Sequence, residues 1–106
     1  MIYFISNGKN IKIGYTSGNP MKRLKTLQTG SSEKLTLVGY IEGTKKTERQ
    51  LHTLFSNIRI DHNLEWFEGT QELLDYINKY SIYENIKAEI VDNKIIPCLN
   101  LNFNAF

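Results

Sequence analysis

Glu48, Leu51, His52 and Phe55 stand at i, i+3, i+4 and i+7 of one helical run, so a carboxylate and an imidazole share the edge of an otherwise apolar face. A carboxylate in that setting can hold a single Mg²⁺ or Mn²⁺ whose remaining sites go to water and substrate phosphate oxygens. His52 can move protons or orient a water, and equally it can be a satisfied histidine at the edge of the core. Two groups one turn apart do not make a zinc site, because the pattern of two His plus a third ligand is absent. Arg23 lies one position from the Leu24/Leu27 stripe, where its planar fork can take two phosphate oxygens and offset the charge that builds up in phosphoryl transfer. The plain alternative for Arg23 is a solvated helix residue.

Strand alternation adds a second group. Tyr3 and Ile5 share one face of a first short strand, and Lys12 and Gly14 share one face of a second. A glycine inside a strand marks either a bulge or a close approach of ligand or backbone, and Gly14 is open to both readings. Glu65 precedes Trp66 and Phe67, which read as core anchors, and the glutamate suits a functional or a capping role at a loop-to-helix junction. The tyrosines at 40, 76, 80 and 83 are too scattered to form a stacking platform for bases.

The elements that must position these groups follow from local pattern. Residues 2–6 and 11–15 are β-rich runs joined by Asn7-Gly8-Lys9-Asn10, an antiparallel hairpin. Thr16 to Pro20 caps a short helix through MKRLKTLQ that ends near Gly30. A third strand spans 35–41, a second helix roughly 45–58 and a third about 70–80, with a loop through Asp61-His62-Asn63 between them. The order is ββαβαα, an α+β domain with a three-stranded antiparallel sheet flanked by helices. It occupies 1–80, and 81–106 is a C-terminal extension. Within the extension, 88–91 and 94–96 read as a hairpin across Asp92-Asn93 that Pro97 should stop. The closing LNLNFNAF has a strand-like alternation that suits an edge strand, a cover for a core face or pairing with another subunit.

With 106 residues, 41% hydrophobic and 23% charged, the chain has room for one core and the composition of a globular protein. The start lacks the basic and apolar segments of a secretory signal, and no run approaches the ~20 apolar residues of a membrane span. The expectation is a cytoplasmic protein, in a host cytoplasm if it is of phage or viral origin, with no membrane partner. The lone Cys98 reads as an apolar filler. Residues 1–60 carry ten Lys/Arg against three Asp/Glu, a net +7, and the remainder carries a net −5. The basic half is a candidate face for a polyanion, or a solvated surface of uneven charge.

Taken together, the blocks Tyr3-Phe4-Ile5, Ile11-Lys12-Ile13-Gly14-Tyr15-Thr16, Lys22-Arg23-Leu24, Glu48 to Phe55 and Glu65-Trp66-Phe67 resemble the GIY-YIG nuclease superfamily, in particular its small phage and viral branch. The resemblance covers residues 2–67 and continues to about 80. It implies one divalent metal, Mg²⁺ or Mn²⁺, and in-line hydrolysis of a DNA phosphodiester, with RNA left open as substrate and a second copy of the chain as a candidate partner. On that resemblance Tyr3 helps activate the attacking water, Arg23 holds the scissile phosphate and Glu48 binds the metal. Lys12 and His52 join the catalytic set, and Gly14, Tyr15, Lys22 and Glu65 the substrate-binding positions. Two departures stand out. The first block reads Met1-Ile2-Tyr3 without a glycine, and Lys12 occupies the place of the second tyrosine. Lys12 therefore takes over that role, lowers the pKa of Tyr3, or leaves the site one group short. Tyr15 is a further substitute, although alternation points it to the face opposite Lys12. The rival readings are a module on the same scaffold that binds nucleic acid or a protein partner without cutting, and a purely structural interaction domain.

Overall fold

In the computed structural model, residues 1–60, 65–82 and 86–99 are described. Strands β1 (Ile2–Ser6) and β2 (Asn10–Tyr15) form the expected hairpin and pair antiparallel with Tyr3 opposite Gly14 and Ile5 opposite Lys12. Helix α1 (Pro20–Thr29) starts where Asn19 accepts the Met21 N–H and Pro20 fills the first turn, and it stops at Gly30. Strand β3 (Thr36–Ile41) returns along the free edge of β1, with a bulge between Phe4 and Ile5. Helix α2 (Lys45–Leu54) is opened by a reciprocal Thr44/Thr47 capping box. It ends four residues short of the expected boundary, and a 3₁₀ turn at Ser56–Ile58 completes that stretch.

The sheet has four strands where three were expected. Residues Trp66–Glu68 form β4, which pairs antiparallel with the outer edge of β2, Trp66 opposite Lys12 and Phe67 opposite Ile11. The strand order is β3-β1-β2-β4. Three residues carry too little alternation to reveal a strand, and what makes them one is the unpaired edge of β2. Helix α3 (Gln71–Tyr80) follows, N-capped by Thr70. The final hairpin, β5 (Ile86–Val91) and β6 (Lys94–Leu99), turns through Asp92 and Asn93, both at positive φ as a tight two-residue turn demands.

Pro97 does not end β6, contrary to expectation. Ile95 turns its N–H away from β5 to the Gly8 carbonyl at 2.7 Å. Pro97, two residues on, faces the same outer edge, where no described strand asks it for a donor. The Asp61-His62-Asn63 loop, Tyr83, the side chain of Cys98 and the stretch from residue 100 onward lie outside the described residues.

The register sorts side chains into two layers. On one face Tyr3, Ile5, Leu35 and Leu37 are buried with Leu24, Leu27, Tyr40 and Trp66 packed against them, under α1. On the other, Ile2, Phe4, Ile11, Ile13, Val38 and Phe67 meet Leu51 of α2 and Phe55 just after it, Leu73, Leu74 and Ile77 of α3, and Ala88 and Ile95 of the hairpin. Each fully buried Leu, Ile or Phe contributes about 1.5–3 kcal/mol, so this larger layer holds the domain together. The hairpin is fastened by Asn78, whose amide accepts from the Ala88 N–H and donates to the Ala88 carbonyl. No described helix is long and apolar enough to cross a membrane.

Candidate active site at Tyr3

Tyr3 lies at the centre of the α1-facing layer, 1% exposed. Its ring crosses directly over Gly14: a Cβ built on that glycine would stand 2.2 Å from the Tyr3 hydroxyl oxygen and 2.3 Å from Cζ. The pairing of β1 with β2 runs without a break through Gly14, so the bulge reading is excluded. Glycine is there because any side chain would displace the tyrosine.

Several charged groups act on this phenol. Burial pushes the Tyr3 hydroxyl above its ordinary 10.0, and the charges of Glu65 and Glu48 push it further, while the adjacent Arg23 guanidinium opposes them. Burial outweighs the arginine, so at neutral pH Tyr3 keeps its proton and offers both a donor and an acceptor. Lys12 does not lower the Tyr3 pKa, which is raised, and Lys12 is absent from the groups that move it.

Lys12 is instead held on the same face by two neighbours. Its ammonium stands 3.5 Å from a Glu65 carboxylate oxygen and 5.7 Å from the centre of the Trp66 ring. The lysine side chain is 14% exposed, so its charge is largely taken from water and matched by these partners. Strand β4 delivers both: with Trp66 opposite Lys12, the indole lies beside the lysine stem, and Glu65 continues the strand direction by accepting the Ile13 N–H. Trp66 is the site residue that sequence reading passed over. Its signal was parity, since a strand reading of Glu65-Trp66-Phe67 would have put Trp66 on the Lys12 face and Phe67 in the core.

Arg23, Glu65 and Glu48 thus act on one hydroxyl, Gly14 lies under its ring, and Lys12 stands on the same face paired with Glu65. The structure sets the others apart. Tyr15 packs against the α2/α3 layer, as alternation indicates. Lys22 is exposed on α1 beside Arg23, with no described side-chain contact to the cluster. His52 turns its Nε2 to the Ile13 carbonyl at 2.8 Å and lays its ring against Phe67, centroids 5.1 Å apart.

Glu48, half-buried in the first turn of α2, is the residue that would hold a divalent cation. Among the described residues no three His, Cys, Asp or Glu side chains come together as a metal-binding group. Such a donor set does not suit a closed zinc site. A lone carboxylate could hold only a hard cation whose other positions are filled by water or by substrate oxygens.

Residues 1–87 match the T5orf172 domain, which covers the sheet, all three helices and the first residues of β5. The chain belongs to the T5orf172 family. This phage-associated domain is linked to nuclease-like proteins. No curated protein and no solved structure matches the chain. In this T5orf172 domain the residues around Tyr3 all fall inside the matched range, and most of β5 and all of β6 lie beyond it.

Proposed function

We propose that this T5orf172 domain is a GIY-YIG-type endonuclease that hydrolyses DNA phosphodiester bonds with Mg²⁺ or Mn²⁺. The observation that carries the reading is Arg23 at the hydroxyl of one buried tyrosine, with the charges of Glu65 and Glu48 acting on the same group. A cation, a metal-binding carboxylate and a weak acid at one point are what a phosphoryl-transfer site requires. Family membership supports the same class of activity.

In the proposed reaction a water attacks phosphorus in line with the leaving oxygen, the phosphorus–oxygen bond breaks, and the water's proton passes to a protein group or to solvent. Arg23 holds the non-bridging oxygens and offsets the charge that grows on them. The Tyr3 oxygen orients the water by accepting its hydrogen bond. To take the proton as well, the phenol must first lose its own, which Arg23 favours and burial opposes. A divalent ion on Glu48 would supply Lewis-acid stabilisation of the phosphate and further positive charge beside the phenol. Lys12 is paired with Glu65, so the two together add no net charge to that face.

The non-cutting binder is favoured by the same raised pKa, which leaves the site without an evident neutral-pH base. Labelled single- and double-stranded DNA incubated with the protein in Mn²⁺, Mg²⁺ or EDTA separates the two. Metal-dependent cutting lost in both Arg23→Ala and Glu48→Ala is the expected result. Intact DNA with a salt-sensitive mobility shift establishes the binder instead.

A further inference from the structure

The β2 edge changes partner at Ile13. Backbone N–H and C=O of one strand residue point to the same side, and at Ile13 that side is the β4 edge, because its N–H goes to the Glu65 carbonyl at 2.9 Å. Regular pairing with β4 ends at Lys12 opposite Trp66, so the Ile13 carbonyl has no strand donor among the described residues. His52 fills the gap at 2.8 Å. A carbonyl can only accept, so the imidazole must carry its proton on Nε2. The ring packs against Phe67, and buried Leu51 of α2 and Phe55 just after it hold the helix against the sheet.

We infer that His52 is a positioning residue: its Nε2–H tethers α2 to the β2 main chain and so sets Glu48 relative to Tyr3 and Arg23. The geometry of the two elements carries this. Glu48 stands one turn before His52 on the same side of α2, and Ile13 immediately precedes Gly14, the residue under the Tyr3 ring. One hydrogen bond therefore links the helix that carries the metal-binding carboxylate to the strand that carries the tyrosine's seat. A histidine whose Nε2 proton is given to the main chain has only Nδ1 left for proton transfer. It holds the site and does not exchange protons with the attacking water. The catalytic consequence rests on the nuclease reading, but the tether itself does not.

Three measurements on the intact chain test it. Long-range ¹H–¹⁵N correlation should show neutral His52 as the Nε2–H form, assigned by its loss in His52→Gln. Binding of Mn²⁺ alone, followed by the paramagnetic signal of the free ion, should weaken about tenfold in His52→Ala. That is the size typical for removing a group that orients a metal ligand. Glutamine places its amide nitrogen where Nε2 lies, so His52→Gln should restore most of that binding, whereas His52→Asn, which mimics Nδ1, should not. Where the wild type cleaves DNA, His52→Gln should keep the shape of the pH–rate profile. An Nδ1–H tautomer, unchanged Mn²⁺ affinity in His52→Ala, or a limb of the pH profile that vanishes in His52→Gln would each overturn the inference. A wild type that binds Mn²⁺ yet never cuts refutes the nuclease reading alone, and the tautomer and Mn²⁺ arms still decide the tether.

Discussion

Replacing Gly14 by alanine would place a methyl carbon 2.2 Å from the Tyr3 hydroxyl oxygen, 2.3 Å from Cζ and 2.8 Å from Cε1. Comfortable contact begins near 3.5 Å, so the ring must retreat by roughly 1.3 Å, or β2 must bend away by as much. Neither is easy. The ring is 1% exposed and packed among Ile5, Leu35, Leu37 and Tyr40, and β2 is paired on both edges. Overfilling a core of this kind costs about 1–3 kcal/mol, and in a domain of this size each kcal/mol lowers Tm by roughly 4–8 °C. Displacing the phenol by about 1 Å should also cut the cleavage rate on the order of 100-fold. The fluorescence of Trp66, the single tryptophan, reports urea unfolding from the same face of the sheet. The cause is then isolated by a double-mutant cycle with Tyr3→Leu: with the ring gone, Gly14→Ala should cost far less, so the two losses should not add. Additive losses, or a Gly14→Ala protein as stable as the wild type, would refute the steric account and return Gly14 to the role of admitting a phosphate.

Two further outcomes follow from the same geometry. Burial raises the hydroxyls of both Tyr3 and Tyr76, so above pH about 10 the unfolded chain releases these protons before the folded one does. The unfolded state then binds fewer protons and stability must fall as pH rises. Tyr3→Phe and Tyr76→Phe should each flatten that decline in urea titrations, and an unchanged slope in both would contradict the assignment. Asn78→Ala leaves the N–H and carbonyl of buried Ala88 without their partner, at a cost of about 1–3 kcal/mol per group left unsatisfied. Hydrogen exchange should show β5 and β6 losing protection ahead of the four-stranded sheet; uniform loss would mean that the hairpin is held by packing alone.

Much of the scaffold was legible because its signals are local. Asn7-Gly8 and Asp92-Asn93 turn the two hairpins, Asn19-Pro20 and Thr44 start helices, and the spacing of Leu51, Phe55, Leu73, Leu74 and Ile77 marks faces that the structure does bury, although Leu54, read into the same run as Leu51 and Phe55, is 61% exposed. Period-two alternation likewise put Tyr3, Lys12 and Gly14 on one face and Tyr15 on the other, as found. Where reading failed, the deciding partner was distant in the chain. Trp66–Glu68 is a strand because β2 has an edge to fill, and Pro97 is tolerated because it faces an edge of β6 that no described strand pairs.

The sequence by itself determined which groups are present, their order and the face each takes, since helix and strand periods depend only on neighbours along the chain. Tertiary structure alone decided what those groups do to one another. It laid the Tyr3 ring on Gly14, gave Lys12 to Glu65 and Trp66, and turned His52 to a main-chain carbonyl. Burial and through-space charge act across elements tens of residues apart, so the direction of the Tyr3 pKa and the partner of His52 exist only once the sheet has closed.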